Sequence, residues 1–161
     1  MERKLSSNLD EELTEELLRF FEFYGKQALE ITRKSVLEEI DGIKSEKVRE
    51  ALQYFIANYW HDLARPTLLS VCCEAVGGDP NTVIPFAVAL SILSGGIDIH
   101  DDAIDESKKK YEKVTVYGKY GKDIAILVGD ALLFKGFALL QSSCINKISK
   151  EKAKKIMRIV K

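Results

Sequence analysis

The sequence predicts an all-α protein, and three observations carry that reading. Apolar residues recur at helical rather than alternating spacing along almost the whole chain. Start and stop signals punctuate those stretches: Ser, Asp and Pro where a periodic segment opens, Gly where one closes. No stretch shows the two-residue alternation of a half-buried strand, and there is no internal repeat or low-complexity tract.

In the first segment Leu13, Leu17, Leu18, Phe20, Phe21, Tyr24, Ala28, Ile31 and Val36 are spaced for one or two helices between Asp10, a candidate N-cap, and a stop at Asp41-Gly42. Ser45 opens a second helix whose stripe is Val48, Leu52, Phe55, Ile56 and Tyr59, read as core. Arg65-Pro66 opens a third, because proline suits a first helical turn, and Gly77-Gly78 closes it. Asp79-Pro80 opens a fourth helix, which is expected to run through Pro85 with a bend and past Gly95-Gly96 to an acidic cluster. Two mid-helix glycines cost roughly 1 kcal/mol each against alanine, so something needs the space beside them. A lysine-rich connection follows (Lys108, Lys109, Lys110, Lys113), then an apolar helix over Ile124 to Leu140, then a basic segment from Lys150 to Lys161 capped by Ser149.

The 161 residues allow a single domain over 1–161 with a real core. Charged residues make up 30% of the chain yet leave a net charge of -1, which argues against a nucleic-acid binder. The N-terminus lacks the apolar stretch of a signal peptide, and no segment is expected to span a membrane, so a cytoplasmic location is expected. Cys72, Cys73 and Cys144 show neither zinc nor disulfide spacing and are expected as buried free thiols.

The chemistry concentrates in Asp98, Asp101, Asp102 and Asp105. At i, i+3, i+4 and i+7 of a helix these four carboxylates share one face. Stacked anions repel, and after so apolar a run they call for a cation. A hard divalent metal is the economical one, because Mg²⁺ is held by one or two carboxylates plus water and substrate phosphates. A solvated acidic helix end is the other reading of the same four residues. His100 beside them either orients an aspartate or is an ordinary half-buried histidine; His61 takes no role.

The order of these signals resembles the trans-isoprenyl diphosphate synthase, or polyprenyl synthetase, family. The resemblance is carried by Arg65-Pro66, Glu74-Ala75-Val76-Gly77-Gly78-Asp79-Pro80 with Pro85, and Ile99-His100-Asp101-Asp102-Ala103-Ile104-Asp105. Thr115-Val116 and the run from Tyr120 to Leu133 continue it. It implies an antiparallel helix bundle around a cavity, about half the usual domain here, and Mg²⁺-dependent prenyl transfer from an allylic diphosphate to isopentenyl diphosphate. It implies Asp101, Asp102 and Asp105 as catalytic metal ligands, and Arg65 and Lys110 as diphosphate-binding residues. Gly96 and Ile97 stand where the family lines its product tunnel, which implies a deep tunnel that Gly96→Phe would shorten.

Several positions depart from the family pattern. Where the family carries Gly-Lys-Arg-x-Arg-Pro, this chain has His61-Asp62-Leu63-Ala64-Arg65-Pro66, so one arginine remains. A paired arginine after the aspartates is replaced by Lys110-Tyr111, which loses the bidentate fork, and a family histidine by Tyr117. Asp98 stands where the family is apolar and is read either as an extra ligand or as a residue facing solvent, the second preferred. A second aspartate-rich motif is missing from these residues, so the resemblance implies a homo- or hetero-oligomer in which another chain supplies it. A non-catalytic binding or regulatory subunit, and a truncated piece of a longer synthase, are the alternatives.

Overall fold

Helix α4 (Ile84–Ile104) is the central element, and the helices around it explain why its sequence is so apolar. The computed structural model describes residues 2–110 and 112–160, with side chains from residue 12 onward. In chain order the other helices are α1 (Glu2–Ile40), α2 (Glu46–Asn58), α3 (Ala64–Ala75), α5 (Val116–Tyr120), α6 (Lys122–Lys147) and α7 (Lys150–Ile159). A 3₁₀ turn (Pro80–Val83) precedes α4. The lysine-rich connection, where the sequence shows no strand pattern, pairs two short antiparallel strands, β1 (Lys109–Lys110) and β2 (Lys113–Val114).

The capping signals account for most boundaries. Ser149 accepts from the Lys152 N–H at 3.3 Å, and Asp79 from the Asn81 N–H at 2.9 Å. Gly77 takes φ +79° after α3, and Gly121 φ +85° between α5 and α6, conformations that glycine adopts without the Cβ penalty. Two expectations are corrected. Helix α1 continues through Asp10 to Glu2, so Asp10 does not start it. Pro85 lies in the first turn of α4, where its missing N–H breaks no helical bond, and so causes no bend; the 3₁₀ turn absorbs the Pro80 start signal instead.

Helices α4 and α6 run antiparallel in intimate contact. His100 meets Asp130, Gly96 meets Gly129 and Leu133, and Leu93 meets Gly136, so contacts advance in opposite directions along the two chains. Glycine permits this approach: a Cβ on Gly96 would stand 2.9 Å from the Gly129 carbonyl, and one on Gly129 would stand 2.2 Å from the His100 ring. Helices α1 and α3, separated in sequence by α2, pack against each other. Thr67 donates to the Phe21 carbonyl at 3.2 Å, and Tyr24 donates to Glu74 at 2.5 Å.

The main core gathers Ala28, Leu52, Phe55, Ile92, Ile99, Val128 and Leu132, with Ile92 and Val128 fully buried. A second cluster around Phe86, Leu93, Leu140 and Cys144 is covered by Ile156 and Met157 of α7. Residues Pro80–Ile104 form a stretch long and apolar enough by length and composition to cross a membrane, and 56% of its most apolar window is buried inside the fold. Its hydropathy is therefore that of a core helix. Of the three free thiols only Cys144 is buried, Cys73 is partly covered and Cys72 is exposed, which corrects the expectation for Cys72.

Candidate functional site

A cavity of about 430 Å³ opens between α2, the segment leading into α3, α4 and the β1–β2 ribbon. One register of α4 supplies its inner wall: Ser91, Gly95, Asp98 and Asp102 at i, i+4, i+7 and i+11 all line it. Phe55, Tyr59 and Trp60 form an aromatic wall opposite, with the Phe55 and Tyr59 rings stacked at 6.0 Å. Trp60 is 4% exposed, and its carbonyl accepts a hydrogen bond from the Arg33 Nε at 3.1 Å.

Charge is arranged around the cavity in pairs. Arg65 sits between two carboxylates, 2.6 Å from Asp62 and 3.7 Å from Asp98. Lys110 lies 3.6 Å from Asp102, and Lys113 donates to the Asn58 carbonyl at 3.0 Å. Burial pushes the Asp98 carboxyl above the ordinary carboxylate range against the pull of Arg65, and does the same to Asp102 against Lys110. The nearby Asp101 charge adds to both shifts. Burial also drives the Tyr59 phenol up to about 12.

The ribbon holds its lysines over the cavity because its base is tied down. Buried Thr115 donates to the Ser107 carbonyl at 2.6 Å and accepts from the Gly118 N–H at 2.9 Å, while its own N–H meets the Lys108 carbonyl at 3.0 Å. Tyr54 of α2 donates to the Val114 carbonyl at 2.5 Å.

The structure divides the aspartates. Asp98, expected in solvent, lines the cavity with Asp102. Asp101 and Asp105 are exposed at the end of α4, where Asp105 is the C-cap and its N–H donates to the Asp101 carbonyl at 2.9 Å. Among the described residues no group of three or more His, Cys, Asp or Glu side chains is placed to hold a metal ion. An open site of one or two carboxylates completed by water and phosphate remains compatible with this hard oxygen donor set. His100 is held across α6, with Nε2 at 3.2 Å from both Asp130 and the Ile126 carbonyl.

Arg65 and Lys110 both line the cavity. Gly96 and Ile97 do not line it: Gly96 faces α6, and Ile97 is 58% exposed. A side chain at 96 would press on the Gly129 carbonyl and on Leu133 of α6. Tyr117 packs against the core, and Tyr111 lies outside the described residues. Asp62, Ser91 and Tyr59 were not singled out as site residues by sequence; the register of Ser91 with Asp98 and Asp102, and the i, i+3 spacing of Asp62 and Arg65, are the signals that point to them.

Comparison with known proteins places this geometry in context. The polyprenyl synthetase family model matches residues 45–161. A short chain isoprenyl diphosphate synthase of Methanothermobacter thermautotrophicus is 32% identical over 108 residues, 67% of this chain and 33% of that protein. A protein of Arabidopsis thaliana described as heterodimeric geranylgeranyl pyrophosphate synthase large subunit 1, chloroplastic, is 35% identical over 99 residues, 60% of this chain and 26% of that one. The crystal structure of geranylgeranyl pyrophosphate synthetase from Pyrococcus horikoshii superposes with a TM-score of 0.70 at 27% identity, covering 90% of this chain and 43% of that one. The chain thus spans less than half the length of these relatives.

Proposed function

This chain belongs to the polyprenyl synthetase family, and on that premise we propose that it binds an allylic prenyl diphosphate with Mg²⁺ and serves prenyl transfer as one component of a larger synthase. The observation that carries the reading is the end of α4: Asp101 and Asp105 exposed beside Asp102, at the margin of a cavity that α4 itself lines. One or two of these carboxylates, completed by water and the diphosphate, would hold the metal. Bound there, Mg²⁺ supplies electrostatic stabilisation of the diphosphate leaving group. Lys110 holds Asp102 in place and brings a positive charge to the same margin.

Residues beyond this stretch complete the reaction centre in the proposal, contributed by a second chain or by a continuation of this one. Support comes from apolar side chains left uncovered, such as Phe23 on α1 and Phe134 on α6, 80% and 78% exposed, and from the relatives' greater length. The Arabidopsis relative, described as a subunit of a heterodimer, is a precedent for assembly. A non-catalytic prenyl diphosphate-binding subunit is the second reading, favoured by Asp62, which neutralises Arg65.

Calorimetric titration of geranyl diphosphate tests the proposal. Binding is expected with Mg²⁺, is lost on chelation, and is weakened at least about tenfold in Asp101→Ala, a loss of about 1.4 kcal/mol or more. Metal-independent binding, or an Asp101→Ala protein that binds as the wild type does, would overturn it.

A further inference from the structure

From Lys147 to Val160 the chain carries charge of almost one sign. Lys147, Lys150, Lys152, Lys154, Lys155 and Arg158 stand against a single acid, Glu151, a net charge of +5 where the rest of the chain sums to -6. All six cations are exposed, and among the described residues none of them has an ion pair. Helix α1, also rich in charge, mixes its signs and pairs them, Glu15 with Arg19 and Lys34 with Glu38.

Helix α7 holds these charges in a fixed array. Its inner face, Ala153, Ile156, Met157 and Val160, packs on the cluster around Phe86, Leu93, Leu140 and Cys144. Helical spacing therefore turns its lysines and Arg158 outward. On that side Lys150, Lys154 and Arg158 follow one another at four residues, and Lys152, Lys155 and Arg158 at three, so like charges are neighbours and repel. Lys150 and Lys152 also lie in the first turn, at the positive end of the helix dipole. Nothing among the described residues pairs with them, whereas an anionic surface would relieve all of them at once. Ile159 belongs to the same side: it is 83% exposed, four residues after Lys155.

We propose that α7 is a docking face for an anionic lipid surface, its cations lying on the headgroups and Ile159 entering the apolar boundary. The apolar side of the helix stays on the core, so α7 lies on the surface and does not insert. Each cation held near an anionic membrane strengthens binding about fivefold. Ile159 favours lipid over nucleic acid, the other polyanion such a patch could meet, and residues 147–160 hold no aromatic side chain on which a base could stack. The patch is remote from the aspartates: α7 covers Phe86 and Leu93 in the first half of α4, and Asp101 lies about 22 Å beyond Phe86 at 1.5 Å per residue. Docking therefore does not require the metal-dependent binding proposed above.

Flotation of the whole chain with lipid vesicles, metal chelated throughout, tests this. Binding is expected to phosphatidylcholine vesicles containing about 30% phosphatidylserine at about 0.1 M salt, and not to phosphatidylcholine alone. Raising the salt to about 0.5 M is expected to weaken it at least about tenfold. Replacing three cations at once, Lys152→Gln, Lys155→Gln and Arg158→Gln, is expected to weaken it about a hundredfold. Ile159→Ser, which leaves every charge in place, is expected to weaken it about fivefold or more. Glutamine keeps the helix propensity of these positions, and far-UV circular dichroism confirms that each variant is folded. No binding to either vesicle, equal binding to both, or a triple variant or Ile159→Ser that binds as the wild type does would overturn the proposal. Tighter binding to a duplex DNA oligonucleotide than to the anionic vesicles would also overturn it, and would make the patch a nucleic-acid face. Asp101→Ala leaves the patch intact and is expected to float as the wild type does, so either proposal can fail while the other stands.

Discussion

Asp62 shows how one residue resets the chemistry of a site. It lies three positions before Arg65, accepts from the Ala64 N–H at 2.8 Å, and so is fixed by the backbone as well as by the ion pair. His61 beside it is set by its surroundings in the same way. Desolvation, with Arg33 2.9 Å away and Lys113 nearby, lowers its pKa from the ordinary 6.5. A histidine that binds its proton less tightly when folded favours the unfolded chain once that proton is on. Its contribution therefore lets stability rise with pH and is lost as pH falls through the ordinary imidazole range. The urea midpoint of the wild type is expected to drop more between about pH 7.5 and about pH 5.5 than that of His61→Gln, as measured by circular dichroism. An equal drop in both would remove His61 as the cause. The i, i+3 spacing is the one local sign of the Asp62–Arg65 pair; the setting of His61 was not legible, because its partners Arg33 and Lys113 come from other elements and one chain gives no sign of that pairing.

At the level of elements, the helices were legible because each is amphipathic or apolar at a single period and bounded by its own caps. The stripe Val48, Leu52, Phe55 and Ile56 is buried as the spacing requires. The errors arose where local signals compete. Pro80 and Pro85 both look like helix starts, and only packing decides that the first opens a 3₁₀ turn. Gly95-Gly96 announced a need for space without saying whose: the space belongs to Phe55 on one side and to α6 on the other. The α4–α6 crossing is correspondingly intolerant. Gly129→Ala puts a methyl where the His100 ring lies, and is expected to lower stability by about 1–3 kcal/mol, with the denaturant midpoint moving and the slope unchanged. A variant as stable as the wild type would mean that His100 swings out freely, and that its contacts to Asp130 and Ile126 count for little.

For the whole molecule, the family and the fold were readable from the order of motifs, whereas the distribution of exposed apolar surface was not. Periodicity marks which residues are apolar, not which face finds a neighbour. Phe134 and Phe137 on α6 sit in the same periodic run as Leu132 and Leu140, yet the first two are exposed and the last two buried. Replacing an exposed side chain removes no core contact, so Phe134→Glu is expected to change folding stability by no more than about 0.5 kcal/mol. If α6 meets another surface through this residue, the same variant reduces association in sedimentation velocity. A large loss of stability without any change in association would show that Phe134 belongs to the core after all.

The glycines between α4 and α6 also determine where the cavity can change shape. Helix α4, its inner wall, rests directly on the Gly129 carbonyl and the Leu133 side chain of α6, leaving no slack to take up a larger side chain. The opposite wall is built from Phe55 and Tyr59, with the Phe55 ring against Gly95. Any drift in what the cavity accepts, whether by natural divergence or by an engineer's hand, is thus channelled into α2, while α4 stays as the fixed jaw of the vice.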